Sequence, residues 1–349
     1  MSDRREARLI LAILAGRWDE VDAAPKPEAG RFLTLARRCD VAPTLHAVLA
    51  ESGRLDRLGA PVAKGLSEIR TKTRHDNLLL LARLETALDL LLRAGITPVA
   101  LKGVDTLHRF YRSFDERTLD DVDLLVAPDA LDRAIAALEG AGWEGPGEPE
   151  RTHWFRSSFE LPLSSPGPIP VSFELHWGLG QGRRYRIPAA DLIARAHPAA
   201  IAGRAVLRLD DHDAVAHLLI HHVQHYFDRR LKWTLELGRM AASPGFSWEV
   251  VHQRLAAWGG LGAAGLALAH IRKLFPALLP AEAYRVLPTA RWRALATLPL
   301  RATHPLDLFH GTRRRWVQLW IAAAALERPS DLPAYVRHRA TRDAGPGAG

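Results

Sequence analysis

Between Leu119 and Val126 the chain reads Leu119-Asp120-Asp121-Val122-Asp123-Leu124-Leu125-Val126, which sets two carboxylates into a short apolar strand. Side chains on a strand alternate between faces, so Asp121 and Asp123 point the same way, about 6–7 Å apart, while Val122 and Leu124 turn to the core. Carboxylates in such a strand are costly unless a cation or hydrogen bonds compensate them. The segment therefore asks for a sheet with one apolar face and one face that carries a cation. Mg²⁺ (or Mn²⁺) answers this, because it takes oxygen ligands and bridges protein carboxylates to phosphates. The plainer alternative is an acidic turn in which Asp120 and Asp121 hydrogen-bond locally. Asp-x-Asp by itself does not separate the two.

The flanking sequence does. A leucine-rich helix over Asn77 to Leu92 stops at Gly95, and the apolar run Ile96 to Leu101 reads as a buried strand. Lys102-Gly103 breaks that run before a helix over Val104 to Tyr111. A glycine between strand and helix lets backbone approach a phosphate, and a lysine adds a point charge. Only six of the 47 basic residues are lysines, which makes Lys102 at this turn stand out. Further on, Val171 to Trp177 alternates, with Ser172, Glu174 and His176 on one face. Glu174 supplies the third carboxylate, as metal ligand or general base. His176 is read as an acceptor contact or support, and Arg117 as neutralising phosphate charge or holding the Asp loop.

Around this centre the pattern is helical on both sides. We expect an N-terminal helical region over 1–94, an α/β core over 95–210, a C-terminal helical region over 211–338 and a disordered tail over 339–349. Within the core, strands are expected at Val122 to Val126, Thr152 to Leu161 and Val171 to Trp177, with a helix over Pro128 to Gly140. Helices are expected over His217 to Ala241, Trp248 to Trp258, Leu261 to Phe275 and Arg314 to Leu326. The fold class is α+β, a small mixed sheet flanked by helices.

No run of about 18 apolar residues is present, so no membrane span is expected. The first residues lack the apolar stretch of a signal peptide, and the single cysteine, Cys39, excludes an internal disulfide; both point to a cytoplasmic, prokaryote-like setting. The net charge of +8 suits anionic partners, although the densest basic run, Arg313-Arg314-Arg315, reads as a solvated helix face more readily than as a phosphate contact. No P-loop and no Gly-x-Ser-x-Gly elbow occurs.

Leu101-Lys102-Gly103, Arg117-x-x-x-Asp121-x-Asp123-Leu-Leu-Val and Glu174-Leu-His176-Trp177 together resemble the uncharacterised nucleotidyltransferase family of bacteria, a branch of the DNA polymerase β-like superfamily. The helix His217-Leu-Leu-Ile-His221-His222-Val-Gln-His225 and the following Leu231-Lys-Trp233-Thr-Leu-Glu236 are similar to that family's helical C-terminal half. The chain departs from the superfamily pattern with Lys102-Gly103 in place of Gly-Gly or Gly-Ser, with a longer gap from Gly103 to Asp121, and with Glu236 where Asp is expected. The resemblance implies a nucleotidyltransferase in which Asp121, Asp123 and Glu174 hold Mg²⁺ or Mn²⁺. Lys102, Gly103 and Arg117 then bind the phosphates of an NTP such as ATP. The acceptor is unidentified, with a small alcohol or sugar, a nucleic acid or a protein all open.

Two other readings stay open. His217, His221 and His225 recur every four residues, so they line one helix face; a core or interface role competes with contact to nucleotide or acceptor. Asp211-His212-Asp213 contains the His-Asp pair of HD phosphohydrolases, but Asp211 reads as a helix N-cap with Asp213 in the first turn. An inactive nucleotidyltransferase fold, acting as an antitoxin-like or biosynthetic accessory partner, and a phosphotransferase or phosphohydrolase using the same metals, are the functional alternatives.

Overall fold

A computed structural model describes residues 3–180, 184–225, 227, 231–285, 315–326, 330, 332–333 and 336. The expected tail at 339–349 and the side chains of Arg313-Arg314-Arg315 lie outside these residues.

Helix formation dominates the first ninety residues. α1 (Asp3–Leu14), α2 (Trp18–Ala23), α3 (Ala29–Arg38) and α4 (Ala42–Glu51) precede α5 (Ala60–Arg93), a helix of 34 residues. Pro43 separates α3 from α4 and sits in the first turn of α4, where its missing N–H costs nothing. α5 stops at Gly95, whose φ of +72° an L side chain adopts only with strain.

The sheet follows: β1 (Val99–Ala100), α6 (Lys102–Phe110), β2 (Val122–Leu125), α7 (Leu131–Glu139), α8 (Glu150–Ser157), β3 (Glu160–Ser164), β4 (Ser172–His176), α9 (Ala189–Arg195), β5 (His197–Ile201) and β6 (Arg204–Arg208). Its six strands run in the order β3-β4-β2-β1-β6-β5. β2 pairs parallel with β4, and β1 parallel with β6; the other pairings are antiparallel. α10 (Asp211–Gln224), α11 (Leu231–Ala241), α12 (Trp248–Trp258), α13 (Leu261–Leu274), α14 (Ala281–Arg285) and α15 (Arg315–Ala324) complete the described elements. The protein is thus α+β, a mixed sheet flanked by helices. Among the described residues no helix is long and apolar enough to cross a membrane.

Alternation divides the central strands between two cores. Val122, Leu124, Phe173 and Leu175 join Leu84, Leu88 and Leu91 of α5 and Ile135 and Leu138 of α7. Leu101 and Leu125 join Val215, Leu219 and Ile220 of α10 on the opposite face. A third core ties Phe32, Leu45 and Leu66 of the N-terminal helices to Leu231 and Leu235 of α11.

Three expectations need correction. Thr152 to Ser157 is helical, as α8, and the strand begins at Glu160. The run His217 to Ala241 is two helices, α10 and α11, rather than one. The cap of α10 is Asp210, whose side chain accepts from the His212 N–H, so Asp211 and Asp213 lie in the first turn. Asp213 is buried there against Arg195 at 2.8 Å and Arg254 at 3.1 Å, committed to ion pairs. The β5–β6 hairpin was not foreseen. Its turn residues, Ala202 and Gly203, both have positive φ, +49° and +74°. That is the signature of a type I′ turn, and alanine at its first position hides the usual Asn-Gly signal.

Asn77, fully buried on α5, brackets the loop that leads into β2. Its Nδ2 donates to the carbonyls of Phe114 and Arg117, and its Oδ1 accepts from Leu119 N at 3.0 Å. Asn77→Ala leaves these three backbone groups unpaired; at about 1–3 kcal/mol for each buried polar group, chemical denaturation should show a loss of about 3 kcal/mol or more. A loss under about 0.5 kcal/mol would remove the bracket from the account.

Candidate active site

The site lies on the α10 face of the sheet, where β2 and β4 run side by side. Parallel register sets Asp123 opposite Glu174 and Leu125 opposite His176, so the two carboxylates and the imidazole share a face. Asp123 is only 3% exposed. One of its oxygens, Oδ1, receives both the Lys102 ammonium at 3.0 Å and His176 Nε2 at 3.0 Å. His176 Nε2 also lies 3.5 Å from Glu174 Oε2. One ligand atom from each of Asp123, Glu174 and His176 falls within 4.8 Å of the others, a grouping that could hold a metal ion.

Lys102 reaches this point because the chain turns sharply after β1. The Leu101 N–H donates to the Asp123 carbonyl at 3.0 Å, and Lys102 itself adopts φ +42°, a left-handed conformation costly for a residue with a side chain. α6 starts at Lys102, two residues earlier than the apolar pattern suggests.

Protonation follows from burial and neighbours. Burial pushes the Asp123 carboxyl up, but Lys102 and His176 outweigh it and hold it well below the usual range. Burial pulls His176 down, and its hydrogen bonds to Asp123 and Glu174 more than reverse this, raising it to about 9. For Glu174 the His176 hydrogen bond lowers the pKa, while burial and the Asp123 charge raise it, with a net value of about 6. Asp121 stands just ahead of β2 and is partly exposed; burial first, then Asp123, raise its carboxyl against the pull of Lys102.

Gly103 and Arg117 sit below this cluster. A Cβ on Gly103 would come within 2.9 Å of Arg117 Nη1, so the glycine makes room for a guanidinium. Arg117 is buried, with Nε 2.6 Å from Glu236 Oε1 and Nη1 donating to the Thr118 carbonyl at 2.8 Å. The Tyr111 hydroxyl donates to the same Glu236 oxygen at 3.1 Å. One helical turn away, Lys232 donates to Asp120 at 2.8 Å and to the Thr118 carbonyl at 3.2 Å. Glu236 and Lys232 thus grip the Asp loop from α11. Sequence spacing on a helix places these two on one face, yet their partners over a hundred residues away are set only by packing.

α10 roofs the cluster. His217 and His221 are buried, and burial together with the Lys102 charge lowers both, His217 to about 3, so they are neutral imidazoles. His221 packs edge-on against Trp233 at 4.6 Å and against His225 at 4.2 Å, and His225 is exposed. Of the residues singled out in the sequence, the structure gathers Lys102, Asp123, Glu174 and His176; Asp121 flanks them, Gly103 and Arg117 underlie them, and His221 and His225 extend away along α10. Glu160, which faces His176 across the β3–β4 register with Oε2 3.7 Å from Nδ1, carries no mark in the sequence.

In chelator-treated protein the raised His176 pKa stabilises the fold fully below about 6.5, and that stability is lost as pH rises through about 9. The melting temperature should fall over this window, and His176→Gln should flatten the slope; an unchanged slope in that variant would overturn the assignment.

The chain matches the family described as "Uncharacterised nucleotidyltransferase" over residues 25–276. No curated protein and no solved structure matches the chain. The matched segment runs from α3 through the sheet and the Asp123–Glu174–His176 cluster to the end of α13, and the chain belongs to this nucleotidyltransferase family.

Proposed function

We propose that the protein is a metal-dependent nucleotidyltransferase of the DNA polymerase β-like type, moving the nucleotidyl group of an NTP such as ATP to an acceptor hydroxyl and releasing pyrophosphate. The observation that carries this reading is the convergence of Asp123, Glu174 and His176 beside the Lys102 ammonium, within a chain of a nucleotidyltransferase family. The donor set fits a divalent cation: the Asp123 and Glu174 carboxylates and the His176 imidazole, in its neutral form, aim at one point, with the Lys102 ammonium beside them. Asp123 and Glu174 would hold such an ion, with Asp121 beside them. When bound, a divalent ion supplies Lewis acidity toward phosphoryl oxygens and leaving pyrophosphate.

The chain's own groups account for the rest. Lys102, at the head of α6, is placed to neutralise phosphate charge brought to Asp123. Glu174 faces Asp123 across the β2–β4 register, where its carboxylate would complete the pair that holds the ion. Arg117, locked to Glu236, keeps the Lys102-Gly103 turn and the Asp loop in register. His221, His225 and Trp233 line the α10 side, where the acceptor or base would lie. We assign the core to 95–210, the helical regions to 1–94 and 211–338, a bacterial origin and a cytoplasmic setting as parts of the same proposal.

The test is pyrophosphate release from each NTP with Mg²⁺ or Mn²⁺ and a panel of acceptors, read by mass spectrometry. Asp123→Asn should lower the rate on the order of 10²–10³-fold, the size seen when one transition-state charge stabiliser is removed. Glu174→Gln should lower the rate by a similar factor, because it removes the second carboxylate that would hold the ion. Orthophosphate as the product would favour hydrolysis or phosphotransfer. Absence of any ligand-dependent thermal shift would favour an inactive interaction partner.

A further inference from the structure

We propose that His176 is itself a metal ligand, oriented by Glu160, and that this mixed nitrogen–oxygen set makes the site prefer a first-row transition ion, with Mn²⁺ as probe, over Mg²⁺. The inference rests on the reading that Asp123 and Glu174 hold a divalent ion, and it names the ion they select.

Three observations carry it. First, His176 Nε2 lies 3.0 Å from Asp123 Oδ1 and 3.5 Å from Glu174 Oε2. Adjacent ligands of an octahedral ion bound at about 2.1 Å are about 3 Å apart, so the nitrogen occupies a ligand's place. Second, the far nitrogen, Nδ1, faces a carboxylate oxygen of Glu160 at 3.7 Å, longer than a hydrogen bond, from the directly opposed position on β3. Ligating histidines commonly turn their other ring nitrogen toward a carboxylate, which fixes the tautomer and leaves the near nitrogen's lone pair for the ion. Third, the convergent group contains Asp123, Glu174 and His176 but not Asp121, which lies ahead of the strand. The donors at one point are therefore two oxygens and one nitrogen.

That composition decides the ion. Mg²⁺ demands oxygen ligands and near-ideal octahedral geometry. Imidazole adds affinity for first-row transition ions, while two carboxylates keep Mn²⁺ well served. A cluster of Asp121, Asp123 and Glu174 would offer oxygens alone, the ligands that Mg²⁺ takes, and so a weaker bias.

The experiment uses the full chain, stripped with chelator, with no nucleotide present. Mn²⁺ is titrated while the resonance of free Mn²⁺ is followed by electron paramagnetic resonance, and Mg²⁺ is added as competitor. We expect Mn²⁺ to bind at least about tenfold more tightly than Mg²⁺, with spin-echo modulation from an imidazole nitrogen. In His176→Gln the modulation should vanish and the preference collapse. Glu160→Gln, at a residue one-third exposed and so tolerant of change, should weaken Mn²⁺ about 10-fold or more, with its melting curve confirming the fold. Equal binding of the two ions, absence of nitrogen modulation, or a preference that survives in His176→Gln would overturn the proposal. If equal binding is still lost in Asp123→Asn, the metal reading under the proposed function stands without it. Binding of neither ion overturns both.

Discussion

A carboxylate buried on a central strand is the constraint around which this molecule is arranged. Asp123 cannot keep its charge at 3% exposure without partners of opposite sign. It has two within 3.0 Å, the Lys102 ammonium and the His176 imidazole, both meeting one oxygen. Each partner places a demand elsewhere. Lys102 arrives through a left-handed backbone at the β1–α6 turn, and His176 arrives through the parallel pairing of β4 with β2. The cluster holds itself together electrostatically, and the same charges suit a cation and a polyphosphate.

Beneath it, a second set of buried charges holds the frame. Arg117 and Glu236 form an ion pair that is almost wholly withdrawn from solvent. Such a pair gains little net stability over apolar packing, yet removing one partner strands the other charge. Its contribution is positional: it links α11 to the turn at Gly103 and to the loop that delivers Asp121 and Asp123. Lys232 repeats the link one turn earlier on α11, reaching Asp120 and, at 3.4 Å, Asp40 of the N-terminal region. Asn77 adds a third tie from α5. Helices distant in sequence thus converge on one short loop.

The parts that were legible in advance depended on local geometry. Strand alternation placed Asp123 and Glu174 on polar faces, and the Lys102-Gly103 break between strand and helix was visible in composition alone. Failures came where the local signal is weak. α8 buries none of its side chains fully, so it has no apolar stripe to separate Trp154 and Phe155 from a strand. The β5–β6 hairpin carries Pro198 and an Ala202-Gly203 turn, neither of which advertises a strand pair. Glu160 looked like any exposed acid until β3 paired with β4.

By itself the sequence determined that Asp123 would stand in an apolar strand with Asp121 two residues before it, that a lysine-glycine turn would precede them, and that a third carboxylate would follow on an alternating strand. These are period-two and nearest-neighbour properties, carried by the chain wherever it lies. Tertiary structure decided which groups meet. It drew His176 into the Asp123–Glu174 cluster and left Asp121 at its edge, and it used Gly103 to admit Arg117 and Arg117 to grip Glu236. Those choices turn on the register between strands and the packing of α11 against a loop more than a hundred residues away, and no local pattern encodes a distance across a sheet.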